Sequence, residues 1–240
     1  MTAATFRALH VPGTPIILYN AWDAGSAQAI AKAGAKAIAT GSWSVAAAHG
    51  EGDGESLPLE LAIANLRRIV AAVALPVTID LERGYDDVAG TVAAAAEAGA
   101  VGCNLEDSLG DKTLRSVEAQ VERLRAARQA AGTDFFINAR TDVFFGDAPH
   151  NAALVETALD RAQAYAAAGA NGLFVPGLAD PALIADLTAR SPLPVNLMMT
   201  PASPAPADLA KLGVARLSHG PFPYLKAMQQ LEADARAAFA

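Results

Sequence analysis

Short apolar runs that finish in polar groups alternate along this chain with longer, Ala-rich stretches of helical period. Four show the pattern most clearly: Pro15-Ile16-Ile17-Leu18-Tyr19-Asn20-Ala21-Trp22-Asp23, Val77-Thr78-Ile79-Asp80-Leu81-Glu82, Gly102-Cys103-Asn104-Leu105-Glu106-Asp107 and Phe135-Phe136-Ile137-Asn138-Ala139-Arg140-Thr141-Asp142. Each starts apolar, ends polar and is followed by a helix-like run. Parallel strands of an α/β barrel have this asymmetry, because their chemistry collects at the carboxyl ends.

A repeated phrase extends the pattern. Ala33-Gly34-Ala35, Ala98-Gly99-Ala100, Ala168-Gly169-Ala170 and Leu212-Gly213-Val214 each place a Gly after a helical run and before a short apolar strand. A left-handed helix end is expected at each. Between them lie strands introduced by Pro15, Pro76 and Pro194, a position where proline is tolerated. The alternation predicts eight strands near residues 15–21, 36–42, 76–82, 102–107, 135–141, 172–177, 194–199 and 216–220. Helical runs separate them, among them Leu59–Ala74, Val117–Ala131 and Asn151–Ala168. The expectation is one (β/α)8 TIM barrel over residues 1–240, in the α/β class. A doubly wound sheet is the rival, but Asn20-Ala21-Trp22-Asp23-Ala24-Gly25 lacks the Gly-rich dinucleotide turn. The stretch His49 to Ser56 reads either as a mobile active-site loop or as a plain solvated connection. Thr200 to Pro206 reads as a stiff turn, and Tyr224 to Ala240 as an amphipathic helix with Leu225, Met228 and Leu231 on one face.

Composition narrows the partners. Hydrophobic residues make up 52% and charged residues 18%, as for a large core. The net charge of −7 argues against nucleic acid as a partner. Cys103 is the only cysteine, which excludes an internal disulfide. The longest apolar stretch, Ile69 to Ile79, contains Pro76 and is too short to cross a bilayer, so no membrane partner is expected. Met1 to Arg7 lacks the pattern of an export signal, and a cytoplasmic location is expected.

Asp80 and Glu82 are two positions apart, so on a strand both would point to one face, and Glu106 ends the next strand. Three carboxylates without nearby bases repel one another unless a cation or proton lies between them. Oxygen ligands favour Mg²⁺, with Mn²⁺ as the alternative. Asp107 reads as a helix N-cap, with Ser108 as competitor. Arg140 ends the most apolar strand, so its guanidinium pairs either with a structural carboxylate or with an anionic substrate. Metal plus arginine describes a site for a small acid that chelates through vicinal oxygens, such as a 2-oxo acid. No lysine ends a predicted strand, which disfavours a Schiff base, and the four histidines show no paired zinc spacing.

With these residues in view, the chain resembles the isocitrate lyase and phosphoenolpyruvate mutase superfamily over nearly its whole length. The resemblance is carried by Tyr19 to Ala27, Asp80 to Tyr85, Asn104 to Asp107 and Asn138 to Asp142. It implies Mg²⁺ held, directly or through water, by Asp80, Glu82 and Glu106. It also implies that Asp53 reaches the metal site, that Arg140 contacts the substrate carboxylate, and that Thr40, Gly41 and Ser42 hold the other end of the substrate. Tyr19 and Asn196 are expected among the substrate-binding residues. The family often exchanges its eighth helix between subunits, so a homodimer or homotetramer with a swapped C-terminal helix is expected.

One departure stands out. Lyases of this superfamily carry a Lys-Lys-Cys-Gly-His motif after the fourth strand, whose cysteine is the acid–base residue. Here that loop reads Ser108-Leu109-Gly110-Asp111-Lys112-Thr113-Leu114-Arg115-Ser116. The acidic residue that many family lyases place after strand six is also missing from Phe174-Val175-Pro176-Gly177. The acid–base role then falls among Asp53, Lys112 and His219, with Asp53 preferred. The expected activity is a Mg²⁺-dependent lyase acting on a small 2-oxo acid or its aldol-type adduct through an enolate. Phosphonate mutase or hydrolase chemistry is the first alternative. A non-catalytic barrel that binds metal and oxo acid is another, and an unrelated phosphate-binding barrel using Ser218-His219-Gly220-Pro221 is a third.

Overall fold

Eight parallel strands form one sheet: β1 (Ile16–Leu18), β2 (Ile38–Ala39), β3 (Val77–Asp80), β4 (Gly102–Glu106), β5 (Phe136–Arg140), β6 (Gly172–Phe174), β7 (Val195–Met198) and β8 (Arg216–Ser218). The computed structural model describes residues 2–111, 113–146 and 149–240. Strand order is β1-β8-β7-β6-β5-β4-β3-β2, all in parallel register. A parallel bridge between Ala21 and Thr40 joins the first strand region to the second, with the Ala21 N–H donating to the Ala39 carbonyl at 2.8 Å. The result is a nearly closed (β/α)8 TIM barrel.

The helices are α1 (Ala3–Ala8), α2 (Ala24–Lys32), α3 (Ser42–Ala48), α4 (Leu59–Ala72), α5 (Val88–Glu97), α6 (Val117–Ala131), α7 (Ala152–Ala167), α8 (Pro181–Arg190), α9 (Pro206–Lys211) and α10 (Phe222–Phe239). Gly34, Gly99, Gly169 and Gly213 adopt φ of 100°, 96°, 97° and 82°, the left-handed helix ends that the repeated phrase requires. Asp23 caps α2 by accepting the Ser26 N–H at 2.7 Å. The outer core is a continuous apolar layer between strands and helices that includes Leu66, Ile69, Val92, Leu124, Val155 and Leu187. At the amino end of β5, α1 packs Phe6 against Phe136, and His10 stacks on the same ring at 4.1 Å.

The barrel interior is polar where β4, β5, β7 and β8 face one another. Asn104 Oδ1 accepts from Asn138 Nδ2 at 2.9 Å and from the Arg216 guanidinium at 3.1 Å. Burial pushes the Arg216 guanidinium down to about 9, with Asp80 opposing the shift. Asn196 belongs to this layer, its Oδ1 accepting from Ser218 Oγ at 3.2 Å. It does not border the clefts at the mouth, as a substrate-binding role would require.

Two other expectations change. Asp107 is no N-cap: it is fully buried, accepting from Arg161 at 3.0 Å, the Tyr165 hydroxyl at 2.8 Å and the Asp142 N–H at 3.0 Å. Ser116 caps α6 instead, accepting from the Ala119 N–H. The last helix, α10, has only Pro223 buried, and Leu231 and Phe239 are 61% and 88% exposed. On the barrel, Val11, Ile17 and Tyr19 are exposed. Among the described residues, no helix is long and apolar enough to cross a membrane.

Candidate active site

The carboxyl ends of β3, β4 and β5 converge on two adjoining clefts. One, about 300 Å³, is bordered by Ser42, Asp53, Glu82, Glu106, Arg140 and Asp142. The other, about 290 Å³, shares Ser42, Asp53 and Arg140 and runs from Asp80 to Trp43, Phe174, Met198 and Phe222.

Asp80 is the last residue of β3. Its backbone N–H donates to Thr40 Oγ1 at 3.1 Å, and its Oδ2 accepts the Ser42 hydroxyl at 3.0 Å. Asp80 Oδ1 is buried without a partner. Gly41 and Ser42 border the second cleft, so this segment meets Asp80 from the neighbouring strand. Thr40 lies behind it, buried.

Glu82 reaches the mouth by a different route from the strand alternation. It lies beyond β3 with φ of 52°, and its Oε2 accepts the Glu55 N–H at 2.7 Å. Glu55 in turn takes the Tyr85 N–H at 2.7 Å and the Arg83 Nε at 3.1 Å. These bonds clasp the acidic loop onto the end of β3, and all three of Glu55, Glu82 and Tyr85 have positive φ. Such strain persists only where surrounding contacts over-determine it. Asp53 on this loop lines both clefts. Burial, then Asp80, raises its carboxyl above the usual range. Burial, then Asp80 and Asp53, pushes Glu82 up to about 8.

Glu106 is turned toward Arg140, with Oε2 at 2.8 Å from Nη1, and its Oε1 accepts the Ser108 hydroxyl at 2.5 Å. Arg140 also binds Asp142 through Nε at 2.6 Å and Nη2 at 2.9 Å, beneath the rings of Phe145 and Phe174. Burial opposes the guanidinium charge, but Glu106 and Asp142 outweigh it and hold Arg140 ionised. One guanidinium shared by two carboxylates only partly offsets burial, which still lifts Glu106 to about 7. Asp142 and Ser108 are partners that local sequence reading did not single out.

Other expected residues lie elsewhere. The rings of Tyr19 and His219 pack on each other, 5.0 Å between centroids, and border neither cleft. Burial lowers the His219 imidazole from its ordinary value. Lys112 lies outside the described residues. Cys103 is fully buried and its thiol is pushed up to about 12 by burial, the state of an inert packing group.

Among the described residues, no three His, Cys, Asp or Glu side chains converge tightly enough to ligate one ion together. Glu82 and Glu106 are turned to the Glu55 N–H and to Arg140, which is why the three carboxylates do not meet. The open oxygen is Asp80 Oδ1, an orphaned buried anion atom that fits a hard cation taken directly by Asp80.

The phosphoenolpyruvate phosphomutase family model matches residues 6–239. The chain belongs to that family. A Burkholderia cenocepacia J2315 structure named as a candidate phosphonomutase is 58% identical, covers 98% of this chain and 99% of its own, and superposes with a TM-score of 0.95. An uncharacterised protein of Mycobacterium tuberculosis is 36% identical over 234 residues, 97% of this chain and 88% of that one. The 2-methylisocitrate lyase of Escherichia coli is 30% identical over 209 residues, 81% of this chain and 69% of the lyase. Relatives in the isocitrate lyase and phosphoenolpyruvate mutase superfamily thus include both C–C lyases and phosphonomutases.

Proposed function

We propose that this family member is a Mg²⁺-dependent lyase, with Mn²⁺ as the alternative ion, acting on a small 2-oxo acid or its aldol-type adduct through an enolate. The observation that carries the reading is the unpartnered Asp80 Oδ1 in a cleft shared with Arg140. Asp80 would hold the ion directly, and Glu82 and Glu106 through water. When bound, the ion supplies electrostatic stabilisation of oxyanion charge. The likeness to a 2-methylisocitrate lyase supports C–C chemistry.

The chain's own residues then divide the remaining work. Arg140 fixes the substrate carboxylate, and Asp142 and Glu106 fix Arg140. Ser42 and the Thr40 hydroxyl orient Asp80, and Gly41 and Ser42 border the substrate. Asp53 moves the proton: burial and Asp80 raise its pKa, the direction that favours a carboxyl able to carry the proton. His219 is displaced from this role by its packing on Tyr19.

P–C bond chemistry is the second reading, favoured by the 58% identity to a candidate phosphonomutase. Incubation with oxaloacetate, alkyl-substituted malates and phosphonopyruvate, read by pyruvate release and phosphorus NMR, separates the two. C–C cleavage that needs Mg²⁺ supports the first reading. Turnover of phosphonopyruvate alone overturns it, and binding without any turnover turns the barrel into a metal- and oxo-acid-binding protein.

A further inference from the structure

Much of the wall of the second cleft is apolar, formed by Trp43, Phe174, Pro176, Met198 and Phe222. The polar side chains that border it beside this wall are already engaged. Asn20 Oδ1 accepts the N–H groups of His219 at 2.8 Å and Gly220 at 3.0 Å, its Nδ2 donates to the Thr40 carbonyl, and Ser218 Oγ donates to Asn196. Helix α10 begins here, but Pro221 at its N-cap and Pro223 in its first turn carry no N–H. A helix start stripped of those donors is a poor anion site.

Charge points the same way. Asp53, Asp80, Glu82, Glu106 and Asp142 surround the mouth against two guanidinium groups, Arg140 and Arg83. Arg83 is paired with Glu55 at 3.1 Å. Arg140 commits three N–H groups to Glu106 and Asp142, which leaves donors for one carboxylate head. Among the described residues, no cation borders the apolar side: Arg216 lies behind Asn104 and Ser218, 1% exposed and donating to both, so a second substrate anion there meets apolar side chains rather than a guanidinium.

We propose, resting on the 2-oxo acid reading above, that this site selects acids with one charged head and an uncharged, apolar far end. Acids with a second charge at the far end bind more weakly, and Met198 at the end of β7, across the barrel from Asp80 on β3, is the specificity-determining residue. The desolvation that an apolar wall imposes on a second anion sets the direction of the preference. The shape of the wall sets how large an alkyl or aryl group is accepted.

The experiment is equilibrium binding to the whole protein in millimolar Mg²⁺, by calorimetry, of pyruvate, 4-methyl-2-oxopentanoate, 2-oxoglutarate and phosphonopyruvate. The expected order places 4-methyl-2-oxopentanoate tightest, with 2-oxoglutarate and phosphonopyruvate weaker by about tenfold or more. Met198→Lys, which keeps an unbranched stem and adds a cation, is expected to narrow or reverse that gap. Equal or tighter wild-type binding of 2-oxoglutarate or phosphonopyruvate overturns the proposal and leaves the 2-oxo acid reading intact. Failure of all four ligands, pyruvate included, overturns both.

Discussion

The Ser42 hydroxyl holds Asp80 by Oδ2 alone, at 3.0 Å, and leaves Oδ1 buried without a partner. The two oxygens of one carboxylate therefore have different tasks: one is anchored to the β2 end, the other is open to a ligand. Ser42→Ala removes the hydroxyl and leaves only the longer Ser42 N–H contact to Oδ2 at 3.4 Å, without touching Glu82, Glu106 or Arg140. A hydrogen bond to a charged group contributes about 1.5–3 kcal/mol. Mg²⁺ affinity by calorimetry is expected to fall by about tenfold or more in Ser42→Ala, with Ser42→Thr retaining most of it. Unchanged affinity in Ser42→Ala would show that the anchor does not orient Asp80.

Asp107 has a purely structural task. It ties β4 to α7 through Arg161 and Tyr165 and is wholly buried. Removing one partner of a buried ion pair costs about 3–5 kcal/mol. Arg161→Leu is expected to lower unfolding stability on that scale in urea titrations. Tyr165→Phe, which removes one hydrogen bond, is expected to cost about 1 kcal/mol.

His10 gives the fold an acid-sensitive point. Burial, reinforced by Arg216, lowers its imidazole from 6.5 to about 3. A depressed folded pKa means that the unfolded chain binds the proton more readily. The contribution of His10 to stability is therefore present above pH 6.5 and is lost as pH falls toward about 3. His10→Phe keeps a ring on Phe136 and cannot titrate. Urea titrations between pH 7 and 4 are expected to show a shallower loss of stability in His10→Phe than in the wild type. Parallel slopes would assign the acid loss to other groups.

The strands and helices were legible because each pairs a local period with a local stop signal. Phe135 to Asp142, for example, predicts β5 and places Arg140 at its end. Asp53, Asp80, Glu106 and Arg140 at the mouth follow from the barrel rule and the family resemblance. What local pattern does not carry is pairing at a distance. Asp107 reads as a cap because Arg161 and Tyr165 lie more than fifty positions downstream. Arg216 reads as an ordinary strand residue because nothing nearby in sequence reveals Asn104 across the barrel. Glu82 arrives at the mouth through a left-handed backbone and the Glu55 clasp rather than through strand alternation. Tyr19, His219 and Asn196 sit near strand ends in sequence, yet side-chain packing directs them to the flank or the interior.

Helix α10 is held at its start and leaves Leu231 and Phe239 in solvent, and Ile17 and Tyr19 on the barrel are exposed as well. Covering these surfaces with a second copy of the chain is the economical solution to that exposure. Light scattering at micromolar concentration is expected to give a dimer or tetramer. A monomer would mean that α10 is not exchanged.

Thermal melting with and without millimolar Mg²⁺ tests the metal site most directly, comparing the wild type with Asp80→Ala. Carboxylates crowded at the mouth should be relieved by a bound cation, which stabilises the folded state by mass action. The wild-type Tm is expected to rise with Mg²⁺ and to rise further when pyruvate is added, and Asp80→Ala is expected to respond to neither. A wild-type Tm indifferent to Mg²⁺, or an equal rise in Asp80→Ala, would contradict a cation at Asp80 and the chemistry built on it.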